Sequence, residues 1–168
     1  LLGNRIRNVF VSNKAAGSRA ETRTLVVPRQ DAPSASFGVT AASDPTSYKF
    51  DADVEPGDNS LAHERPVLIK IATEGFETET IRGLKDTISR CHPVLVTDLS
   101  DRRLVDCGSS ASEMVKLMAG MGYLGFKITL SEHSEMANWS IRPLSPKDRE
   151  IKAVWVHANS PAEARGQI

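Results

Sequence analysis

The rhythm of apolar and polar positions changes at Pro66. Beyond it, Val67, Leu68, Ile69 and Ile71 make a near-continuous apolar run broken only by Lys70, which predicts a short strand covered on both faces, as in a parallel sheet. Phe76, Thr80 or Ile81, Leu84 and Ile88 then recur at helical spacing as far as Arg90. Glu77 and Glu79 fall in the first turn and Lys85 and Arg90 later, the order a helix dipole favours. Residues 93–98 read as a second buried strand. Ser110 and Glu113 make a capping box ahead of Met114, Val115, Leu117, Met118 and Met121, a helix that Gly122 ends. Two further strands are predicted over residues 123–130 and 152–157, separated by a polar stretch that holds Pro143 and Pro146. This alternation predicts an α/β domain: βαβ units on a mostly parallel sheet, with the last two strands as antiparallel neighbours at one edge.

Upstream of Pro66 the pattern is weaker. Residues 1–8 read as the last turns of a helix, Val9, Phe10 and Val11 as a short buried strand, residues 13–17 as a turn, and residues 22–27 as a strand stopped by Pro28. Residues 28–66 carry five prolines (28, 33, 45, 56 and 66) with little periodicity, so they read as a long irregular connection with one short strand near Tyr48, Lys49 and Phe50. The whole chain, 1–168, reads as a single domain with a flexible tail over 158–168.

Composition narrows the function. The 168 residues hold 21 Lys+Arg against 21 Asp+Glu and are 40% hydrophobic, so no net field draws in nucleic acid or anionic lipid. The apolar runs are strand-length, well short of the ~20 residues a membrane-spanning helix needs. Cys91 and Cys107 have no metal-type spacing and suit free thiols in a reducing compartment, with the cytoplasm as the default. The chain opens on Leu1 with no signal-peptide pattern, and it reads as a piece of something longer or a processed product.

In a sheet of this kind ligands lie beyond the carboxyl ends of the strands, which directs attention to the residues after Ile71 and around Thr97. Lys70 is a charge inside an apolar run, and Glu74 and Gly75 form an acidic turn directly after it. The Glu74 carboxylate could orient a hydroxyl, a cofactor or a metal ion, or could simply sit with Glu77 at a helix start. Asp98 closes the next strand, where it could share that rim or cap the following turn. His63, His92, His133 and His157 are scattered without ligand spacing, and His92 falls at the opposite end of the sheet. No glycine-rich phosphate loop occurs in the sequence.

The stretch from Val67 to Glu77, then Ile81, Arg82, Gly83 and Leu84, then Cys91, His92, Pro93, Val94, Leu95 and Val96, resembles the core signature of the FkbM family of S-adenosylmethionine-dependent methyltransferases. That signature runs Lys-Ile-Asp-Val-Glu-Gly-x-Glu, a helix with Leu-x-Gly, and a Pro-led strand ending in an acid. Asn8 to Val11, Ala15 to Gly17, and Gly122 with Tyr123 fit the family as well. The resemblance implies a Rossmann-like class I methyltransferase sheet ordered three, two, one, four, five, seven, six. It implies S-adenosylmethionine as cofactor and methyl transfer to a hydroxyl of a sugar or other small molecule, with Glu74, Asp98 and Lys70 as the polar groups of the active rim.

Two departures bear on this. Ala72 stands where the family has aspartate, and an alanine neither takes a proton nor positions an acceptor. The family's first two strands, with the cofactor loop, have no counterpart in the sequence. The sheet is thus expected to be incomplete, with a bare strand-four edge that a missing amino-terminal segment or an oligomer must cover. Both departures count against activity of this chain on its own. They leave a second reading, a non-catalytic binding or interaction module on the same fold, beside a third, another doubly wound enzyme such as a nucleotide-sugar transferase.

Overall fold

The computed structural model describes residues 7–29, 35–39, 43, 45–131 and 138–160. Its strands are β1 (Ala15–Gly17), β2 (Glu21–Val27), β3 (Tyr48–Pro56), β4 (Leu68–Ile71), β5 (Val94–Ser100), β6 (Tyr123–Ser131), β7 (Asn138–Pro143) and β8 (Glu150–His157). Its helices are α1 (Gly57–Leu61), α2 (Glu77–Arg82), α3 (Lys85–Cys91), α4 (Asp101–Asp106) and α5 (Ala111–Gly120).

The α/β class holds, in two mixed sheets. A small sheet has the order β1-β3-β2 and a larger one the order β4-β5-β8-β6-β7. The larger sheet is not mostly parallel: β4 and β5 are parallel, whereas β5/β8, β8/β6 and β6/β7 are antiparallel. Within this sheet, among the described residues, the βαβ unit from β4 to β5 alone has the crossover that parallel pairing requires.

One face of the larger sheet holds the core. Leu95 and Leu99 of β5, Ala153 and Trp155 of β8 and Tyr123 of β6 pack beneath Ile81, Ile88, Leu104, Met114 and Met118, all buried. The Trp155 indole N–H donates to the Thr97 hydroxyl at 2.9 Å, so its one polar atom is satisfied inside the core.

The opposite face has no helix over it among the described residues. Strand register places Leu68, Val94, Val156 and Leu124 in one row across it, and Lys70, Val96, Val154 and Phe126 in the next. A third row holds Asp98, Lys152, Ile128 and Ile141. Leu68 is 58% exposed and Leu124 64%, whereas Val156 in the same row is buried. The expectation that the first strand is covered on both faces is therefore wrong, because β4 is an edge strand with one bare face.

Several local expectations change for identifiable reasons. Val9, Phe10 and Val11 form no strand, and Phe10 is 99% exposed. Of the helix expected over 1–8, residues 1–6 lie outside the described residues, and Arg7 and Asn8 are not helical. Part of the predicted turn is β1, paired parallel to β3. The supposed irregular connection contains β3 and α1, and β3 pairs along β2 from Glu21↔Val54 to Val27↔Tyr48. Over residues 48–53 β3 is largely exposed and pairs with β2 alone, which leaves little hydrophobic signal to read. The helix from Phe76 to Arg90 is two helices, broken at Gly83 and Leu84. The polar stretch before β8 contains β7. At the other end, Ala158, Asn159 and Ser160 are hydrogen-bonded and Ser160 is fully buried, so the first part of the expected tail is fixed. Residues 161–168 lie outside the described residues.

Candidate functional site

The carboxyl end of β4 turns sharply into α2. Glu74 has φ 53° and Gly75 φ 107°, and a side chain on Gly75 would place its Cβ 2.3 Å from the Arg103 carbonyl oxygen. Glycine is required at 75 both by the backbone angle and by the approach of α4. Glu77, the first residue of α2, folds its carboxylate back over this turn. Oε1 accepts the Thr73 N–H and Oε2 the Gly75 N–H, each at 2.9 Å, with the side chain 2% exposed. Burial pushes the Glu77 carboxyl up against the opposing pull of these N–H groups, and the Asp98 charge adds to the rise.

The three residues singled out by sequence do not form one cluster. Glu74 turns toward α4, where its carboxylate is ion-paired with Arg103, and its carbonyl accepts the Ser36 hydroxyl at 3.0 Å. The Cys107 thiol lies 3.9 Å from that same carbonyl, pushed up by burial. Asp98 is on the uncovered face of the sheet, paired with Lys152 at 2.8 Å. Lys70 is exposed on that same face and has no ion-pair partner among the described residues. Continuing the β4/β5 register by one residue sets Ala72 beside Asp98, so a carboxylate at 72 would have neighboured the one at 98. Reading Glu74 and Asp98 as acids sharing one ligand is thus not supported: each has its own cation, on different faces.

Lys70, Ala72 and Thr73 do line a cavity of about 450 Å³ beside the open edge of β4. Ile69, Ile71, Leu61 and Leu84 give it apolar walls, and Lys14, Glu55 and Ser60 stand on its far side. Its size lies within the range of small-molecule sites, roughly 300–1,000 Å³. The buried Thr73 hydroxyl has no hydrogen-bond partner there.

The set is nevertheless incomplete for an adenosyl cofactor. Among the described residues, Glu55 is the one carboxylate lining the space and is turned to Lys14 at 2.7 Å and Ser60 at 3.2 Å, and no glycine-rich turn borders the space. The residues present do not by themselves fit S-adenosylmethionine. Among the described residues no three metal-ligating side chains converge.

Sequence reasoning missed Arg103, Lys152 and the folded-back Glu77. The first two contacts join positions far apart in the chain and leave no local pattern. A glutamate two places after the turn glycine was legible, but only as helix-start charge.

A mixed α/β fold whose β4 turn borders a ligand-sized cavity is compatible with many transferases. A family model, the methyltransferase FkbM domain, matches residues 5–124, well over half of the chain. The chain belongs to that family. It is also similar to a solved structure of methyltransferase FkbM from Methylobacillus flagellatus KT, at 18% identity and a TM-score of 0.44, over 88% of this chain and 28% of that one. The chain thus spans less than a third of that protein's length. No curated protein matches it. No described helix is long and apolar enough to cross a membrane.

Proposed function

We propose that this chain forms part of an S-adenosylmethionine-dependent methyltransferase domain acting on a hydroxyl of a sugar or other small molecule. The observation that carries the proposal is the FkbM match across the Lys70 to Glu77 turn, which borders the cavity at the open β4 edge. The strand order β4-β5-β8-β6 supports a Rossmann-like reading, since it follows the four, five, seven, six order of the resemblance. In this reading Lys70 and Asp98 face the acceptor from the bare side of the sheet, and Glu74, held by Arg103, shapes the rim.

The remaining wall and the uncovered apolar face are supplied by a further segment of the polypeptide or by a second copy. Full burial of an exposed side chain such as Leu68 or Leu124 is worth roughly 1.5–3 kcal/mol, a strong drive toward such a cover. The free thiols of Cys91 and Cys107 favour a reducing compartment such as the cytoplasm.

A second reading, a non-catalytic binding module, is favoured by Ala72 and by the neutralised Glu74 and Asp98. Calorimetry with S-adenosylhomocysteine separates the two. Micromolar binding by this chain, or by a longer polypeptide that covers the β4 edge, supports the enzyme. Absence of binding by the longer polypeptide supports the module.

A further inference from the structure

We propose that His92 and His157 form an acid-released latch that ties the end of β8 to the amino-terminal rim of the larger sheet. β8 runs antiparallel to β5, so His157 arrives where α3 ends and β5 begins. His92 caps α3 in the left-handed region, with φ 48° and its N–H donated to the Ile88 carbonyl at 2.9 Å. The two imidazoles stack with centroids 3.8 Å apart and planes within 4°. Tyr123 closes the other side edge-on at 5.1 Å, and its hydroxyl donates to the Pro93 carbonyl at 2.9 Å. Gly122 makes the fit possible, because a Cβ there would lie 2.7 Å from His157 Nε2.

The ring holds the chain that follows it. Nδ1 of His157 accepts the Asn159 N–H at 2.9 Å, the Ser160 N–H donates to the His157 carbonyl at 2.9 Å, and the Ser160 hydroxyl donates to the His92 carbonyl at 3.4 Å. A nitrogen that accepts is unprotonated. A proton on Nδ1 would point one donor at another and place a cation against the face of His92.

The surroundings favour the neutral ring. Burial pushes the His157 proton affinity down and His92 pushes it further, against a smaller opposing influence from the Met121 carbonyl. Among the described residues, the titratable groups facing the ring are His92 from the end of α3, with Cys91 beside it, and Tyr123 from β6; residues 158–160 after β8 bring neutral Asn159 and Ser160. Neither imidazole has a carboxylate partner among the described residues. A histidine whose folded value is depressed contributes stability that is complete above its ordinary value near 6.5 and is lost as pH falls through the folded value.

Nuclear magnetic resonance of the full chain between pH 8 and 5 tests the latch through the His157 ring protons and Asn159 amide exchange. Normalised to intrinsic rates, protection of Asn159 relative to Trp155 is expected to fall about five- to tenfold from pH 7.5 to 5, the worth of one hydrogen bond. In His92→Asn, which keeps a residue suited to the left-handed backbone, His157 is expected to titrate at higher pH than in the parent. A protection ratio that stays constant, or a His157 midpoint unchanged by His92→Asn, overturns the proposal.

Discussion

Glu77→Ala is expected to lower stability by about 2–5 kcal/mol, because the buried Gly75 N–H and the half-buried Thr73 N–H lose the acceptors that Glu77 supplies, at about 1–3 kcal/mol for each orphaned group. The turn that ends β4 then loses its shape before any other part of the fold. Glu77→Gln keeps one acceptor oxygen and is expected to cost about half as much. The pH dependence has a definite sign. Burial holds the Glu77 carboxyl above its ordinary 4.5, so its contribution is complete below that value and declines as pH rises through the raised one. Denaturant titrations between pH 4 and 8 should show that decline in the parent and not in Glu77→Gln. An equal slope in both would remove Glu77 from this role.

Gly83→Ala is expected to cost about 2–3 kcal/mol, the upper range for forcing a side chain into filled space. A Cβ at 83 would fall 1.7 Å from the Gly17 carbonyl oxygen, and a backbone oxygen cannot rotate away. Either β1 lifts from α2 or the junction between α2 and α3 opens. Thr80 ties the same place by donating its hydroxyl to the Ala16 carbonyl at 3.0 Å, so amide exchange should quicken first at β1 and Phe76. Equal stability of the two proteins would mean that the small sheet is not seated on α2 as described.

Gly83 also shows where the sequence stopped being readable. Apolar residues at 76, 81, 84 and 88 keep helical spacing through the break, so periodicity alone gives one helix. The interruption comes from elsewhere in the chain. The Asp58 carboxylate of α1 accepts the Asp86 N–H at 3.0 Å and the Thr87 N–H at 2.8 Å, restarting the helix with a cap no local window contains. β5 and β8 were legible because one face of each is buried in a continuous core, and α5 because Ser110 accepts the Glu113 N–H at 3.1 Å. Even there the box is half made, since Glu113 itself turns to Arg82 and Ser109.

In the small sheet β2 was legible over 22–27 and β3 only at its start near Tyr48 to Phe50; β1 and the rest of β3 were not, for the opposite reason. Val26 and Val54 are buried, but Tyr48 and Phe50 in β3 are more than half exposed, and its pairing with β2 crosses a long connection. In the site, family resemblance directed attention to the turn after β4, and the cavity beside it includes Lys70. The partners of Glu74 and Asp98 required three dimensions. A carboxylate at a strand end looks equally available whether or not an arginine or lysine from another element neutralises it.

The open edge of β4 can be tested directly. The Val94 N–H donates to the Val67 carbonyl at 2.9 Å, and parallel-ladder alternation then turns the Leu68 and Lys70 N–H groups away from β5, to the open edge where Lys70 borders the cavity. Amide exchange at these two positions should be fast in this chain and slow in a longer polypeptide whose added strand pairs with β4, with S-adenosylhomocysteine slowing Ala72 and Thr73 further. Fast exchange at Leu68 and Lys70 in both proteins, together with no response of Ala72 and Thr73 to the ligand, would contradict the assignment of this edge to a methyl-donor site.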